Sequence, residues 1–138
     1  MAIYLLDTSA LTLLQRGHSR VRARHQTHKT ESCVSSVTIE ESLGGWLALL
    51  RQAKTNPQRA FAALSLSEAV VFLADFKIHT MTSDMYDRYD SLVKQKLNIG
   101  SMDLKIAASA LELRATVVTQ NVRDFRRVAG LIWEDWTQ

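Results

Sequence analysis

The chain alternates between short continuous apolar runs and longer stretches in which apolar residues recur every three or four positions. Short apolar runs are typical of strands buried on both faces, and the periodic stretches are typical of amphipathic helices. The apolar runs predict strands at 3–6, 33–36, 76–79, 116–119 and 131–133. The periodic stretches predict helices at 8–15, 20–28, from 38 onward, at 56–73, from about 83 to 97, and from about 102 to 114.

This alternation predicts βαβ units, and therefore an α/β fold whose mainly parallel sheet carries helices on both faces. The 138 residues contain no linker-like or repeated segment, so we expect one domain spanning 1–138. The only cysteine, Cys33, cannot form an internal disulfide, which favours a reducing compartment. Asp7 interrupts the first apolar run before it could act as a signal peptide, and no run is long enough to cross a bilayer. These features predict a soluble cytosolic protein.

The net charge of +3 is modest, but its distribution is uneven. The stretch 16–30 contains no acidic residue, and it carries four arginines, one lysine and three histidines. Its arginines are Arg16, Arg20, Arg22 and Arg24. Such a stretch either binds a polyanion or forms a solvated helix face, and the residues alone favour neither interpretation.

Polar side chains stand where the predicted strands end and the helices begin. Asp7 follows the first strand directly, and Asn121 and Asp124 follow the strand at 116–119. Glu41 lies early in the helix after the second strand, and Asp103 lies in the first turn of a strongly apolar helix. Because parallel strands end at one edge of a sheet, we expect these side chains to lie close together.

Taken one at a time, these residues are ordinary helix caps. Thr8 or Ser9 can cap the first helix, Thr38 and Glu41 can form a capping box, and Asn121 can cap a short helix. Taken together, clustered carboxylates would repel one another and raise each other's pKa values, a conflict that a divalent cation removes. Oxygen ligands without Cys or His favour Mg²⁺ or Mn²⁺ over zinc.

The helix that carries Glu41 has two unlike faces. Glu41 shares one face with Gly44, Gly45 and Ala48, and the opposite face carries bulky apolar residues. Two adjacent glycines inside a helix suggest a close approach to the sheet or to a ligand. We therefore expect the small face to lie against the sheet, with the bulky face free for another helix layer or a partner subunit.

Four short motifs resemble the signatures of PIN-domain ribonucleases, and the similarity is closest to the VapC-type toxins of prokaryotic toxin–antitoxin modules. The motifs occur in the family's order and span nearly the whole chain. They are Leu6-Asp7-Thr8-Ser9, Ser36-Val37-Thr38-x-x-Glu41-x-x-x-Gly45, Asp103-x-x-Ile106-Ala107-Ala108-x-Ala110 and Val118-Thr119-x-Asn121-x-x-Asp124-Phe125.

The resemblance implies a three-layer α/β/α sandwich with an acidic pocket that binds Mg²⁺ or Mn²⁺ and cleaves RNA endonucleolytically. Asp7, Glu41 and Asp103 match the family's three core acids. At the fourth position some relatives have Asp where this chain has Asn121, so either Asn121 or Asp124 completes the site, with one or two metal ions bound. The polar residues that orient the acids in the family match Thr8, Ser9 and Thr119.

The resemblance also implies partners: an RNA substrate, a small VapB-like antitoxin and a second copy of the chain in a homodimer, with a higher assembly once the antitoxin binds. The RNA would be a transfer RNA or a ribosomal RNA. The arginines at 16, 20, 22 and 24, together with Arg123, would hold the RNA backbone or meet the antitoxin. Asp7→Ala is expected to abolish cleavage and leave the fold intact.

Two alternative functions remain open from the sequence. The protein could act mainly as the partner of an antitoxin in a DNA-binding autorepressor complex, with weak or lost nuclease activity. It could also be a housekeeping RNA-processing nuclease with the same chemistry. The presence of all the core acids argues against lost activity.

Overall fold

The computed structural model describes residues 2–138, in which five short strands form one parallel sheet. The strands are β1 (Tyr4–Leu6), β2 (Ser32–Ser35), β3 (Lys77–His79), β4 (Thr116–Val118) and β5 (Ile132–Glu134). Their order across the sheet is β3-β2-β1-β4-β5, and every neighbouring pair is parallel. All five strands therefore end at the same edge of the sheet.

Within residues 2–138, seven α-helices and one short 3-10 helix (Lys29–Glu31) connect and flank the strands. The α-helices are named in chain order. They are α1 (Thr8–Gln15), α2 (Ser19–Thr27), α3 (Ser36–Gln52), α4 (Asn56–Ala74), α5 (Ser83–Lys94), α6 (Ser101–Leu113) and α7 (Val122–Phe125). The predicted α/β/α sandwich with a mainly parallel sheet is confirmed.

The boundaries of two helices differ from the prediction for local reasons. Helix α3 begins two residues before Thr38, because the hydroxyl of Ser35 accepts a hydrogen bond from the Val37 N–H and caps the helix. Helix α5 ends three residues before position 97, because Lys96 and Asn98 have left-handed backbone angles that a helix cannot continue through.

The two faces of the sheet bury two separate apolar clusters. Leu5 and Leu6 are neighbours in β1 and are both fully buried, yet they belong to different clusters because successive strand residues point to opposite faces. The Leu5 cluster contains apolar residues of α5 and α6, and the Leu6 cluster contains residues of α1, α2 and α4. Helix layers on both faces explain why β1 is a continuous apolar run rather than an alternating one.

Strand β1 lies at the centre of the sheet, where the chain changes direction. From β1 the chain moves to β2 and β3 on one side, and it later returns to β4 and β5 on the other. A crevice therefore forms at the carboxyl end of β1, the place where open α/β sheets bind ligands. The residue directly after β1 is Asp7, whose backbone N–H extends the ladder by donating to the carbonyl of Val118 at 3.0 Å.

The expected position of the small face of α3 is wrong, whereas the helix layer expected on its bulky face is present as α4. Gly44 and Gly45 are exposed, and a Cβ atom added to either would meet nothing within 4 Å. The bulky face points inward instead: Ile39 and Leu43 pack against the Leu6 cluster, and Trp46 contacts the Phe61 ring of α4 at a centroid distance of 6.2 Å. Burying large apolar side chains stabilises the fold more than the close approach that glycines permit.

Across residues 2–138, none of the helices combines the length and the apolar character needed to span a membrane.

Candidate active site

Asp7 is held rigidly where β1 meets α1. Its backbone is extended, and its Oδ1 accepts hydrogen bonds from the Ala10 N–H at 2.9 Å and the Ser9 hydroxyl at 2.7 Å. Its Oδ2 accepts from the Thr119 hydroxyl at 2.5 Å. Asp7 is therefore itself the N-cap of α1, and the prediction that Thr8 or Ser9 caps this helix is wrong.

Burial dominates the electrostatics of Asp7. Only 3% of the residue is exposed, and loss of hydration raises the pKa of its carboxyl group although the hydrogen bonds from Thr119, Ala10 and Ser9 act to lower it. The three hydrogen bonds fix the orientation of the Asp7 carboxylate, and burial destabilises its negative charge. A cation at its free lone pairs would relieve that cost.

Asp103 approaches Asp7 from the first turn of α6. Burial raises the pKa of its carboxyl group, a hydrogen bond from Asn121 lowers it, and the negative charges of Asp7, Glu41 and Asp124 raise it further. Asp103, Asp7 and Glu41 line one cleft, and Asn121 links Asp103 to Asp124 by hydrogen bonds, so α6, α3 and the segment after β4 bring their acids near one another. The expectation of an acidic cluster at this edge of the sheet agrees with the geometry.

Asn121 joins two of the carboxylates. Its Nδ2 donates to Asp103 Oδ2 at 2.9 Å and to Asp124 Oδ2 at 3.0 Å. Its side chain makes no capping hydrogen bond, although its backbone stands at the N-cap position of α7. The sequence predicted that the Asn121 side chain would cap α7. The amide instead reduces the repulsion between Asp103 and Asp124 by donating a hydrogen bond to each.

Glu41 reaches the cluster from the exposed face of α3. Its carboxylate accepts a short hydrogen bond from the Thr8 hydroxyl. The predicted capping box of Thr38 and Glu41 is wrong, because Ser35 caps α3. The Thr38 hydroxyl is buried without a hydrogen-bond partner among residues 2–138.

The hydroxyl groups link the acids to the loop after β4. The Thr119 hydroxyl accepts from the Asn121 N–H at 2.8 Å while it donates to Asp7. In the same way, the Ser9 hydroxyl accepts from the Gln120 N–H at 3.0 Å while it donates to Asp7. The loop after β4 therefore fixes both hydroxyl rotors, and with them the carboxylate of Asp7.

These groups line an open cleft of about 460 Å³. Its walls include Asp7, Glu41, Asp103 and Asn121. Among the lining residues that the structure describes, Arg16 is the one with a cationic side chain. The sequence did not single out Thr12, which also lines the cleft. Its spacing could have identified it, because positions 8, 12 and 16 recur every four residues and so share one face of α1.

The chemistry of the cleft fits a divalent cation. Among residues 2–138, no group of three Asp, Glu, His or Cys side chains is arranged to hold a metal ion, and the acids accept hydrogen bonds from Thr119, Asn121 and Thr8. The available ligands are nevertheless hard carboxylate oxygens, two of them on acids with raised pKa values. This donor set suits Mg²⁺ or Mn²⁺.

The basic residues take different places. Arg16 lies at the cleft, and Arg123 is exposed on α7. Arg24 forms a 3.0 Å ion pair with Glu134, and Arg20 donates to the carbonyl of Thr137 at 3.3 Å. Arg22 lines a separate pocket beside α4. The predicted basic stretch is thus divided between the cleft, the C-terminal segment and this second pocket.

Comparison with known proteins identifies the class that this fold and cleft define. The sequence matches the PIN domain family over residues 4–131. The chain therefore belongs to the PIN-domain family.

Relatives within that family narrow the class further. Ribonuclease VapC1 of Haemophilus influenzae (strain R2866) is 30% identical over 141 residues, which cover 99% of each chain. The tRNA(fMet)-specific endonuclease VapC of Shigella flexneri is 28% identical over 138 residues, which cover 99% of this chain and 100% of that protein. The 2.2 Å resolution structure of VapBC-1 from nontypeable Haemophilus influenzae superposes with a TM-score of 0.77 at 25% identity, covering 99% of each chain. The predicted resemblance to VapC-type ribonucleases is confirmed, and the protein is a nuclease.

Proposed function

We propose that the protein is the endoribonuclease toxin of a toxin–antitoxin pair and that it hydrolyses RNA phosphodiester bonds in the acidic cleft with Mg²⁺ or Mn²⁺. The observation that carries the proposal is the convergence of Asp7 and Asp103 on one cleft at the carboxyl end of β1, where burial raises both pKa values and neighbouring carboxylates raise that of Asp103 further. A nuclease with such a cleft needs a cation both to relieve this repulsion and to bind the anionic phosphate.

Asp7 and Asp103 are the proposed direct ligands, and Glu41 is a third ligand or binds through water. When bound, the cation polarises the phosphoryl oxygen and supplies an activated water molecule. Ser9 and Thr119 hold Asp7 in one orientation through their hydrogen bonds, and Thr8 does the same for Glu41. Arg16, at the rim of the cleft, binds a phosphate of the substrate.

We assign different roles to Asn121 and Asp124. The Asn121 amide donates to both neighbouring carboxylates, so it acts as a positioning residue rather than as a ligand. Asp124 supplies the additional negative charge, which Arg127 balances at 3.4 Å from the other side.

Transfer RNA is the substrate class that we propose, since the Shigella flexneri relative carries the name of a tRNA(fMet)-specific endonuclease. A small VapB-like antitoxin is the proposed partner, with a homodimer of this chain as the core of the assembly and the prokaryotic cytoplasm as its location. Exposed apolar side chains on α3 and α4 provide a surface for such contacts; they include Leu47, Leu49, Phe61, Leu64, Val70 and Val71. Light scattering of the purified chain, alone and with antitoxin, tests both associations.

Cleavage is best tested with Asp7→Asn rather than Asp7→Ala. Because Asp7 caps α1, alanine would remove a cap worth about 1 kcal/mol, whereas asparagine keeps an oxygen for the Ala10 N–H. Sequencing of RNA 5′ ends after induction of the wild-type protein should show new, discrete ends that the Asp7→Asn protein does not produce. The purified wild-type enzyme should lose the same cleavage in EDTA and regain it with Mg²⁺ or Mn²⁺.

Arg59→Gln is a matched control, since it removes a charge from the exposed N-terminal turn of α4, away from the cleft. It should cleave like the wild type. Equal cleavage by Asp7→Asn and the wild type would refute the proposed site. A wild-type protein that binds antitoxin but cuts no RNA would favour the alternative role in an autorepressor complex.

A further inference from the structure

A second pocket lies beside α2, separate from the acidic cleft. It has a volume of about 250 Å³, and its walls combine cationic, aromatic and amide side chains. We propose that this pocket binds one nucleotide of the RNA strand that occupies the cleft, with its base on the aromatic rings and its phosphate on the cations. The inference rests on the proposed ribonuclease function and adds a substrate-binding subsite to it.

The cations of the pocket are available to a ligand. Arg22 and Lys29 are both exposed, and within the described part of the chain neither forms a salt bridge. Arg24, on the same helix, is by contrast paired with Glu134. Unpaired cations facing a concave surface favour an anionic ligand, and phosphate is the anion that every nucleotide carries.

The aromatic side chains supply the stacking surface. The His25 and Phe76 rings lie 5.4 Å apart, the Phe72 and Phe76 rings lie 5.5 Å apart, and all three residues are only partly buried. Burial lowers the pKa of His25, with a smaller contribution from the charge of Lys29, and Asp75 opposes the shift. The neutral imidazole therefore adds to the stacking surface that single-stranded RNA uses on its protein partners.

Two further side chains complete the pattern of a nucleotide site. Gln26 offers an amide donor and acceptor, and Asp75 offers an acceptor for an exocyclic amino group of a base. The volume is below the range of about 300–1,000 Å³ in which whole drug-sized ligands are buried, so the pocket suits a single base.

A groove along α1 connects this pocket to the cleft. The groove shares Thr8, Thr12 and Arg16 with the cleft and shares Phe72 with the second pocket. Leu14, which lines the second pocket, lies six residues beyond Thr8, which lines the cleft, and this spacing corresponds to a rise of about 9 Å along α1. One extended RNA strand can therefore occupy the cleft and the second pocket at the same time.

The test measures RNA affinity in the Asp7→Asn background, so that binding is separated from cleavage. The probes are a fluorescein-labelled cytidylate dinucleotide, the shorter probe, and an oligocytidylate of about twelve nucleotides, the longer one, and fluorescence anisotropy in Mg²⁺ gives the Kd values. The double variant Arg22→Gln/Lys29→Gln should weaken binding of the longer probe about tenfold or more and leave the shorter probe unchanged. Its affinity for the longer probe should also depend less steeply on salt, because two phosphate contacts are lost.

Phe76→Leu keeps an apolar side chain and removes the aromatic face. It should therefore weaken binding of the longer probe and leave the salt dependence of that binding unchanged. Arg59→Gln is again the matched control and should bind both probes like its parent. Wild-type affinity of the double variant for the longer probe would overturn the proposal. Weakened binding of purified antitoxin with unchanged RNA affinity would also overturn it, since the pocket would then serve the antitoxin.

These outcomes are distinguishable from failure of the proposed function. If the wild-type enzyme cleaves RNA and the double variant binds the longer probe normally, only the second subsite is refuted. If the wild-type enzyme cleaves no RNA while the double variant still loses affinity for the longer probe, the nuclease proposal fails and the subsite stands.

Discussion

Asp7 performs three tasks at the scale of a single residue. It ends β1, it caps α1 through the Ala10 N–H, and it presents a buried carboxylate to the cleft. The first two tasks stabilise the fold, and the third destabilises it, because burial of the charged form is costly. The conflict is typical of functional sites, where a locally unfavourable group is retained for its chemistry.

The raised pKa of Asp7 makes a prediction about stability and pH. Because the folded-state pKa lies above the unfolded value, the folded protein binds more protons between those two values, and the stability of the metal-free wild type falls as pH rises through this window. Asp7→Asn has no such charge. It should therefore melt at a higher temperature than the wild type at neutral pH in EDTA, and the difference should shrink as the pH falls toward 3.8, the ordinary pKa of an aspartic acid side chain.

Thermal melts of both proteins over a pH series measure this difference. Asp84→Asn is the control, since it removes a carboxylate from the exposed first turn of α5. A Tm difference between wild type and Asp7→Asn that does not change with pH would contradict the assigned cost of burying the Asp7 charge.

Asn121 leads to a prediction about cation dependence. Asn121→Asp would replace a donor that bridges Asp103 and Asp124 with a third negative charge, so the metal-free protein should be less stable. A cation that binds only the folded state raises stability with its concentration, and more negative charge strengthens its binding. Titration of Mg²⁺ or Mn²⁺ in thermal melts should show a larger rise in Tm for the variant than for the wild type.

Asn121→Ser serves as the control for this experiment, because it removes the bridging amide without adding charge. If Asn121→Asp responds to the cations no more strongly than Asn121→Ser does, the position does not belong to the cation site.

At the scale of the secondary-structure elements, α3 has two separate functions. Its bulky face packs on α4 and on the Leu6 cluster, and its small face is open to solvent and carries Glu41 to the rim of the cleft. The adjacent glycines therefore face open space on the exposed side of the helix. They weaken the helix without contributing to the core.

Substitution of these glycines tests that assignment. Gly44→Ala and Gly45→Ala should each raise the free energy of unfolding by about 0.5–1 kcal/mol, because alanine restricts the unfolded chain and no neighbouring atom lies within 4 Å of the new Cβ. Urea denaturation measures the change. Gly130→Ala is the control with the opposite expectation, since the backbone φ of +78° at Gly130 disfavours any side chain, and it should lower stability by about 1–2 kcal/mol. Destabilisation by both α3 variants would mean that this face is packed.

At the scale of the whole molecule, the two ends of the chain meet next to the basic stretch. Trp136 is 1% exposed and lies against the rings of Tyr4 and His28 at 5.5 and 5.7 Å. Its indole N–H donates to Glu134, which also pairs with Arg24. The C-terminal segment after β5 therefore links β1, α2 and β5, and it covers one end of the Leu6 cluster.

This arrangement predicts that Trp136→Ala lowers the free energy of unfolding by about 3–5 kcal/mol, as truncation of a buried aromatic side chain does. Trp136→Phe keeps most of the ring contacts and loses the hydrogen bond to Glu134. It should therefore lower the free energy of unfolding clearly less than Trp136→Ala does. Denaturant midpoints at constant slope measure both. A cost below about 1 kcal/mol for Trp136→Ala would show that the C-terminal segment does not contribute to the core.

Much of the fold could be predicted from the chain alone because its apolar periods are unambiguous. The run before Asp7 and the β-branched run at 116–119 both became central strands, and every predicted helix exists. The site residues could be proposed in the same way, because polar residues that follow parallel strands must meet at one sheet edge. The motif spacing that indicated a PIN-type ribonuclease is likewise a property of the sequence and was confirmed by the relatives.

Only the tertiary structure determined the helix caps, the buried face of α3 and the second pocket, because each depends on which residues come close together in space. Local spacing predicted Thr8 or Ser9 as the cap of α1, but Asp7 caps this helix. It also predicted a capping box of Thr38 and Glu41. In the structure Ser35 caps α3, and Glu41 accepts a hydrogen bond from Thr8 of another helix. The spacing of residues in α3 defined two unlike faces but did not determine which of them is buried. That depended on the packing of α3 against α4. The second pocket required α2 and the end of α4 to meet. The spacing of apolar residues in the sequence determines which segments form strands and helices and which residues follow each strand. Side-chain partners and cavities arise only from contacts between residues far apart in the chain.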